Sequence, residues 1–325
     1  MLLTASYAML TVLTRYLDSG FTVAQQVYLR AAIAFLLAVA IFARHLRWRV
    51  IARAGAREWS VVVARTMLLY VVGTLLFAKA ATMTSVANAS FIAALPLASA
   101  LGLALRQVRV TAARLVCVAG SAAGVAIMSG FRPGPGGAWL AWNHGDLVAL
   151  VAMVAMAFSY LGRGWHSGQL NNSEITTLTV GVGAIGVALV SLAQGQGLPR
   201  VHSQLSPTVL WAAIAVAGAL SVLNVFLINY GFDRVDSVSA GNLMTLECVW
   251  GLLFGLTFYQ QLPTINGLIG GALIVCFAIG LNAAEKRPAA PEPITAPEVK
   301  RLTSIDRTSA ANSSDDRDDD DRAIA

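Results

Sequence analysis

The sequence predicts an all-α membrane protein with ten transmembrane helices, and three observations support this prediction. Hydrophobic residues make up 57% of the 325-residue chain and charged residues only 12%, about half the charge of a typical soluble domain. Ten mostly apolar runs approach the ~20 residues that a helix needs to cross a bilayer. Two segments roughly 150 residues apart repeat one pattern, which is typical of secondary transporters.

The ten runs follow one another up to residue 283 and define the predicted helices. Most tryptophans fall near their ends, where an amphipathic ring suits the membrane interface. The predicted helices cover residues 2–17, 23–43, 58–78, 85–105, 111–129, 146–163, 174–193, 208–230, 236–258 and 264–283. Residues 284–325 are rich in proline and aspartate and contain little apolar surface, so they are predicted to form a disordered tail.

The internal repeat begins at Ala89 in its first copy and at Gly241 in its second. Each copy is an apolar helix, a short polar elbow that ends in threonine, and a glycine-rich apolar helix. Pro96 lies inside the first helix of the first copy and removes one backbone hydrogen bond. The proline therefore predicts either a simple bend or a break that faces substrate.

Positive charge is concentrated in alternate predicted loops. The loop at residues 44–57 holds five arginines, whereas the loops of opposite parity hold few basic residues. Cytoplasmic loops of membrane proteins are enriched in Lys and Arg. Both termini, and with them the tail, are therefore predicted to face the cytoplasm from the cell (inner) membrane. A topology signal beside the membrane explains the basic loop better than a nucleic-acid site does.

Four segments and one arginine resemble the EamA family of the drug/metabolite transporter superfamily. Arg30, in YLRAAIAFLLA, stands where family members commonly place an arginine in helix 2. The segments are SFIAALPLASAL around Pro96, LMTLECVWGLLFG around Glu247, the ending TINGLIGGALIVCFAIGLN, and HGDLVALVAMVAMAFSY. The sequence departs from the usual family residues at Gln107-Val108, Gln260-Gln261, Tyr7, Met156 and Cys248.

The resemblance implies two inverted repeats of five helices each, residues 1–130 and 145–283, around a central cavity. It also implies a transporter without enzymatic activity, whose usual role would be export of amino acids, nucleosides or related metabolites. Uptake of a nutrient or vitamin by the same fold is the alternative. A membrane scaffold or receptor that moves no solute, or an intramembrane enzyme, would be a different class of protein.

Polar side chains on the predicted helices form an independent set of cavity candidates. Four of them recur at spacings of three and four on helix 1 and so form one polar face: Thr4, Tyr7, Thr11 and Thr14. Hydroxyl groups in a helix can also bond to the backbone of their own helix. Polar groups are costly in lipid, so they are expected to face protein or water. The candidate cavity residues are Thr4, Tyr7, Thr11, Thr14, Tyr70, Asn88, Ser99, Ser159, Asn224, Glu247 and Trp250.

Glu247 is the only acid placed deep inside a predicted helix. A charged carboxylate at that depth is expensive, so it should be paired, hydrated or protonated. One interpretation is a proton-coupling site or a partner for a cationic group of the substrate. The other is a structural ion pair with Arg30 or Arg65.

Other chemistry has little support in the sequence. No metal-ligand spacing or nucleophile motif is found, so no cofactor is predicted, and the three cysteines are expected only to pack. No phosphate-binding loop is found either, so the energy for transport should come from a gradient, with protons as the candidate. The remaining expected partners are a small-molecule substrate, the lipid bilayer and, as a candidate, a second copy of the chain.

The predicted orientation can be tested by cysteine labelling in intact cells. A cysteine placed at position 53, in the basic loop, should react with a membrane-impermeant reagent only after the cells are lysed, because this loop is predicted to be cytoplasmic. Labelling at position 53 in intact cells would show the opposite orientation.

Overall fold

A computed structural model describes residues 1–83, 92–93, 95–106, 110–128, 144–197, 199, 206–260 and 265–286. Throughout these residues the secondary structure is helical, and none of them lies in a strand. Contacts group Met1–Asn282 into one compact unit.

The first half of the chain folds into seven described helices. Helix α4 continues through a stretch of π-helix, Met67–Thr74, directly into α5. The helices are α1 (Leu2–Leu17), α2 (Val23–Phe42), α3 (Trp48–Arg53), α4 (Ala56–Thr66), α5 (Leu75–Met83), α6 (Leu97–Ala104) and α7 (Ala112–Met128).

The second half folds into six described helices and one short 3₁₀ turn, Gly162–Trp165. The span predicted at 236–258 is divided between two of these helices. The helices are α8 (His144–Leu161), α9 (Asn172–Ala193), α10 (Pro207–Arg234), α11 (Ser237–Met244), α12 (Glu247–Tyr259) and α13 (Ile265–Lys286).

Six helical segments of the described chain are long and apolar enough to cross a membrane, and two shorter apolar helices accompany them. The six are Val23–Phe42, Ala56–Ala80, Leu147–Trp165, Asn172–Ala193, Pro207–Arg234 and Ser237–Phe258. They coincide with six of the ten predicted spans. The total of ten and the inverted relation of the two halves remain predictions.

Helix α2 lies at the centre of the packing, against α9 and α10. A Cβ added at Gly181 of α9 would come within 2.8 Å of Phe35, and one at Gly218 of α10 within 2.6 Å of Ile33. Small residues allow helices to approach closely where lipid provides no hydrophobic driving force between them. The buried face of α2 is itself small, with Ala24, Ala31, Ala34 and Ala38.

Two of these helices begin with capping boxes, which satisfy backbone N–H groups at the helix start. Thr22 and Gln25 form one before α2, and Asn171 and Glu174 form the other before α9. The buried Glu174 carboxylate also accepts a hydrogen bond from Arg47 Nε at 2.9 Å. This contact raises the pKa of the Arg47 guanidinium. The ion pair ties the basic loop to the start of α9.

Helices α6 and α11 make a close backbone contact between the two copies of the repeat. The hydroxyl of Ser99 donates to the carbonyl of Val238 at 2.7 Å. A Cβ at Gly241 would lie 2.6 Å from the backbone nitrogen of Ser99. Because a backbone atom cannot turn aside as a side chain can, only glycine fits at position 241.

Gly241→Ala should destabilise the protein by about 1–3 kcal/mol, because α6 and α11 must move apart to admit the methyl group. Gly251→Ala is the matched control, since no atom lies within 4 Å of its added Cβ and alanine favours a helix by up to about 1 kcal/mol. Thermal unfolding in detergent should show a lower midpoint for the first variant alone. Equal midpoints would contradict the close contact.

Candidate functional site

Two apolar segments are interrupted at matching places in the two copies of the repeat. Between α11 and α12 the chain tightens, and Leu246 N donates to Leu243 O at 3.2 Å, one residue short of the α-helical spacing. Pro96 stands directly before α6, at the position that corresponds to Cys248 in the second copy. Interrupted helices at corresponding positions of two repeats are typical of transporter binding sites.

Glu247 is the first residue of α12, immediately after this interruption. Its side chain is partly accessible although protein atoms surround it. Within the described part of the chain its carboxyl group makes no hydrogen bond and no ion pair. The carboxyl is therefore available to bind a solute or a proton.

Two tyrosines lie near this carboxyl, and a third lies beside those two. The hydroxyls of Tyr7 on α1 and Tyr160 on α8 face each other at 3.4 Å, and both lie within electrostatic range of Glu247. Tyr70, on the π-helical stretch, lies within the same range of both hydroxyls. Its ring packs so closely on α9 that a Cβ at Gly183 would lie 2.6 Å from it.

Arg30 of α2 brings a positive charge to the tyrosines. Its guanidinium donates to the hydroxyl of Thr14 at 2.9 Å and lies within electrostatic range of Tyr70 and Tyr7. Tyr7 therefore interacts with Arg30 and with Glu247. We call Tyr7, Arg30, Tyr70, Tyr160 and Glu247 the central cluster.

Arg65 lies in a separate group of polar side chains between α4, α8 and α10. Its Nε donates to the carbonyl of Ser159 at 2.9 Å, and one NH2 donates to Asn229 Oδ1 at 3.0 Å. The other terminal nitrogen faces His166 Nε2 at 2.9 Å. In return, the hydroxyl of Ser159 donates to the carbonyl of Arg65. The guanidinium thus binds three acceptors from the second half of the chain.

The same group extends from His166 to Glu58 at the start of α4. His166 Nδ1 lies 2.5 Å from Glu58 Oε1, and the backbone and side chain of Ser167 donate to Glu58 Oε2 at 3.0 and 2.7 Å. Arg163 forms an ion pair with Asp233 at 3.0 Å. We call Glu58, Arg65, Arg163, His166 and Asp233 the polar latch.

The two arginines offered as partners of Glu247 are thus placed elsewhere. Arg30 is bonded to Thr14 and Arg65 to the acceptors of the polar latch, and among the described residues neither pairs with Glu247. In this part of the chain the structure shows no ion pair between Glu247 and either arginine. Arg30 still shares the central cluster with Glu247, through Tyr7.

The hydroxyls of four candidate residues on α1 have two roles. The four are Thr4, Tyr7, Thr11 and Thr14. Thr4, Thr11 and Thr14 all donate to carbonyls three or four residues earlier, at 2.9, 3.2 and 2.8 Å. Their donors are therefore used within the helix. Tyr7 turns its hydroxyl toward Tyr160, and Thr14 also accepts from Arg30.

The remaining candidates lie in several environments. Ser99 is buried in the α6–α11 contact, and Trp250 on α12 packs against Phe254 with ring centroids 5.9 Å apart. Asn224 accepts from Ser6, while its Nδ2 is buried without a partner in the described chain. Ser159 belongs to the Arg65 contacts, and Asn88 lies outside the described residues.

Sequence reasoning missed Tyr160, Glu58 and His166. Tyr160 adjoins the predicted Ser159 in a segment that resembles the EamA family, but a lone tyrosine on an apolar helix has no distinguishing spacing. Glu58 and His166 lie at the ends of predicted helices, and no motif marks either of them. In the structure both side chains are buried because each supplies the hydrogen-bond partner that the other needs.

Comparison with known families identifies the second half of the chain. Residues 143–283 match the EamA-like transporter family. These residues form an EamA-like transporter domain. The predicted family resemblance is confirmed by this match. Together with the six helices long enough to cross a membrane, this match indicates a multi-pass membrane protein whose second half resembles EamA-like transporters.

Most of the chain shares its fold with solved structures. One crystal structure, described only as that of a protein, aligns with a TM-score of 0.67 at 19% identity. The alignment covers 87% of this chain and 93% of that chain. Identity at this level shows the fold alone. No curated protein matches the sequence significantly.

The hydroxyl contact between Tyr7 and Tyr160 can be tested by a double-mutant cycle. Tyr7→Phe and Tyr160→Phe should show a coupling of about 0.5–1 kcal/mol, because each change alone removes the same contact. Tyr230, whose hydroxyl accepts from Arg234 at 3.0 Å, provides the control pair Tyr7→Phe with Tyr230→Phe. Unfolding in detergent should give additive effects for the control, and additivity in both pairs would contradict the contact.

Proposed function

We propose that this protein is a secondary transporter that moves a small polar organic metabolite across the cell (inner) membrane by alternating access. Export of amino acids, nucleosides or related metabolites is the activity that we favour. The observation that carries the proposal is the carboxyl of Glu247, which has no partner among the described residues and shares a tyrosine-lined cluster with the guanidinium of Arg30.

The central cluster suits a solute that carries both charges. Arg30 can donate to a carboxylate, and Glu247 can accept from an ammonium group. Tyr7, which interacts with both, separates them and offers a hydroxyl of its own. Trp250, one turn after Glu247, adds an aromatic surface. A bare inorganic ion would leave most of these groups without a partner, whereas a zwitterionic organic solute would use them together.

The interrupted helices supply the movement that alternating access requires. A short 3₁₀ segment within a helix often marks a hinge, and one such segment lies directly before Glu247. With both termini in the cytoplasm, the α6–α11 contact lies on the cytoplasmic side of the cluster. Separation of α6 from α11 would then open the cluster to the cytoplasm, and rocking of the two halves would close it again.

Glu247 is also the candidate coupling group in this proposal. A carboxyl that binds a proton in one orientation and an ammonium group in the other would link transport to the proton gradient. No phosphate-binding loop occurs in the sequence, so a gradient is the energy source that we propose.

Glu247→Gln should reduce transport by about tenfold or more, because an amide keeps the size of the side chain but cannot bind a cation or proton in the same way. The measurement is efflux of radiolabelled neutral L-amino acids and nucleosides from proteoliposomes, with and without a proton gradient. The dependence of the wild-type rate on that gradient should also disappear in the variant.

Asp236→Asn is the matched control, because Asp236 caps α11 through Val238 N and Ser239 N and asparagine caps equally well. Its efflux should resemble wild type. Unchanged rate and gradient dependence in a folded Glu247→Gln protein would refute the role of Glu247. Wild-type protein that moved none of the probes in either gradient would favour a scaffold role.

A further inference from the structure

The polar latch fixes the protonation state of His166. A guanidinium can only donate, so His166 Nε2, at 2.9 Å from Arg65, must be an acceptor. An ionised carboxylate can only accept, so His166 Nδ1, at 2.5 Å from Glu58, must carry the proton. Both contacts are satisfied at once only by the neutral imidazole with its hydrogen on Nδ1.

The charges of the latch are balanced around that neutral ring. Glu58 and Arg65 face it from α4, and Arg163 approaches from the 3₁₀ turn beside it, paired with Asp233 of α10. Two carboxylates therefore meet two guanidinium groups. Burial is the main effect and lowers the pKa of His166, and the positive charges of Arg65 and Arg163 lower this pKa further. The hydrogen bond to Glu58 raises the pKa but does not outweigh them, so the pKa of His166 is lowered.

Protonation would break the contact with Arg65. A second ring hydrogen on Nε2 would point at an N–H of the guanidinium, so that two donors and two positive charges would face each other. The side chain of His166 is fully buried, so it cannot simply turn into water. Arg65 would have to withdraw, and with it the contacts to the carbonyl of Ser159 and the amide of Asn229.

Arg65 is the side chain that holds the end of α4 against α8 and α10. The helix continues from Arg65 through the π-helical stretch, which carries Tyr70 of the central cluster five residues later. Loss of the Arg65 contacts would therefore free the segment that forms one wall of the cluster. Stretches of π-helix are frequent at functional sites, where they accommodate local movement.

We propose that His166 is a proton-binding site whose protonation releases Arg65 and opens α4 from α8 and α10, so that protons control access to the central cluster. The control of access rests on the proposed transport function. The release of Arg65 does not, because it is a property of the folded protein alone. The proton is a second ligand of the molecule, bound outside the central cluster and separate from any proton on Glu247.

Thermal unfolding in detergent tests the release without any substrate. An imidazole whose pKa is lower in the folded protein binds fewer protons when folded, so stability is present above the unfolded value of about 6.5 and is lost as the pH falls below it. Between about pH 7.5 and about pH 5.5 the wild-type midpoint should fall by roughly 2–4 °C more than that of His166→Asn.

Asparagine is the informative replacement because its amide can still donate to Glu58 but does not titrate. His166→Gln is the second variant, in case the first does not fold. His45→Asn is the matched control, because His45 is exposed and bonds to the described residues only through its backbone, to Phe42 and Asn171. This variant should keep the wild-type dependence on pH. Equal pH dependence in wild type and both His166 variants would overturn the proposal.

Nitrogen-15 NMR of histidine-labelled wild-type protein gives an independent test. The chain has four histidines, so the signal of His166 can be assigned by replacing the other three in turn. At about pH 7.5 it should show a neutral ring with the hydrogen on Nδ1. A ring with its hydrogen on Nε2, or a charged ring, would also overturn the proposal.

Efflux from proteoliposomes at equal pH inside and outside tests the effect on access. Wild type and His45→Asn should change rate between about pH 7.5 and about pH 5.5, and His166→Asn should change at most half as much. A third outcome is that the unfolding midpoint of His166→Asn depends less on pH while its efflux rate keeps the wild-type dependence on pH. That result would overturn the control of access but not the release of Arg65. If wild type moves no probe, the transport function fails while the unfolding test still decides the release.

Discussion

The guanidinium of Arg65 is the interaction on which this end of the molecule depends. A buried arginine needs acceptors for its donors, and here the acceptors come from α8, α10 and the segment that joins α8 to α9. None of them lies on α4 itself. A guanidinium without acceptors would be costly in these apolar surroundings. The contacts of Arg65 therefore hold the first half of the chain to the second. Hydrophobic packing alone could not specify this arrangement, because lipid solvates apolar side chains as well as protein does.

The course of the helices was largely predictable from the sequence, since the length of an apolar run and its flanking polar residues determine where a membrane helix begins and ends. Helix α1 has the predicted bounds, and α2, α7, α8, α9 and α10 differ from prediction by a few residues. The interruption before Glu247 was not predicted. No proline or glycine marks it, because Cys248 stands where the EamA family usually has proline, and the local 3₁₀ bonds become visible only in three dimensions.

The candidate site was predicted less completely, for a different physical reason. Tyr7, Tyr70, Arg30 and Glu247 were found because each is conspicuous in an apolar helix. The partners of Arg30 and Arg65 were not, because a long side chain can reach several helices and the sequence does not say which. Charge alone suggested that Arg30 or Arg65 pairs with Glu247. In the described chain Arg30 instead donates to the neutral hydroxyl of Thr14. Arg65 contacts the carbonyl of Ser159, the amide of Asn229 and the ring of His166.

The π-helical stretch at Met67–Thr74 has a consequence for how this chain tolerates change in length. A π-helix takes more residues per turn than the 3.6 of an α-helix, so the stretch sets the rotational phase between Arg65 and every residue that follows it. If the helix type stayed the same, removal of a single residue there would turn the rest of the helix by about 100°. Tyr70 and Gly73, which fit against Gly183 and Met156, would then face different neighbours. In this segment the number of residues is as constrained as their identity, although nearly every side chain in it is an ordinary apolar one.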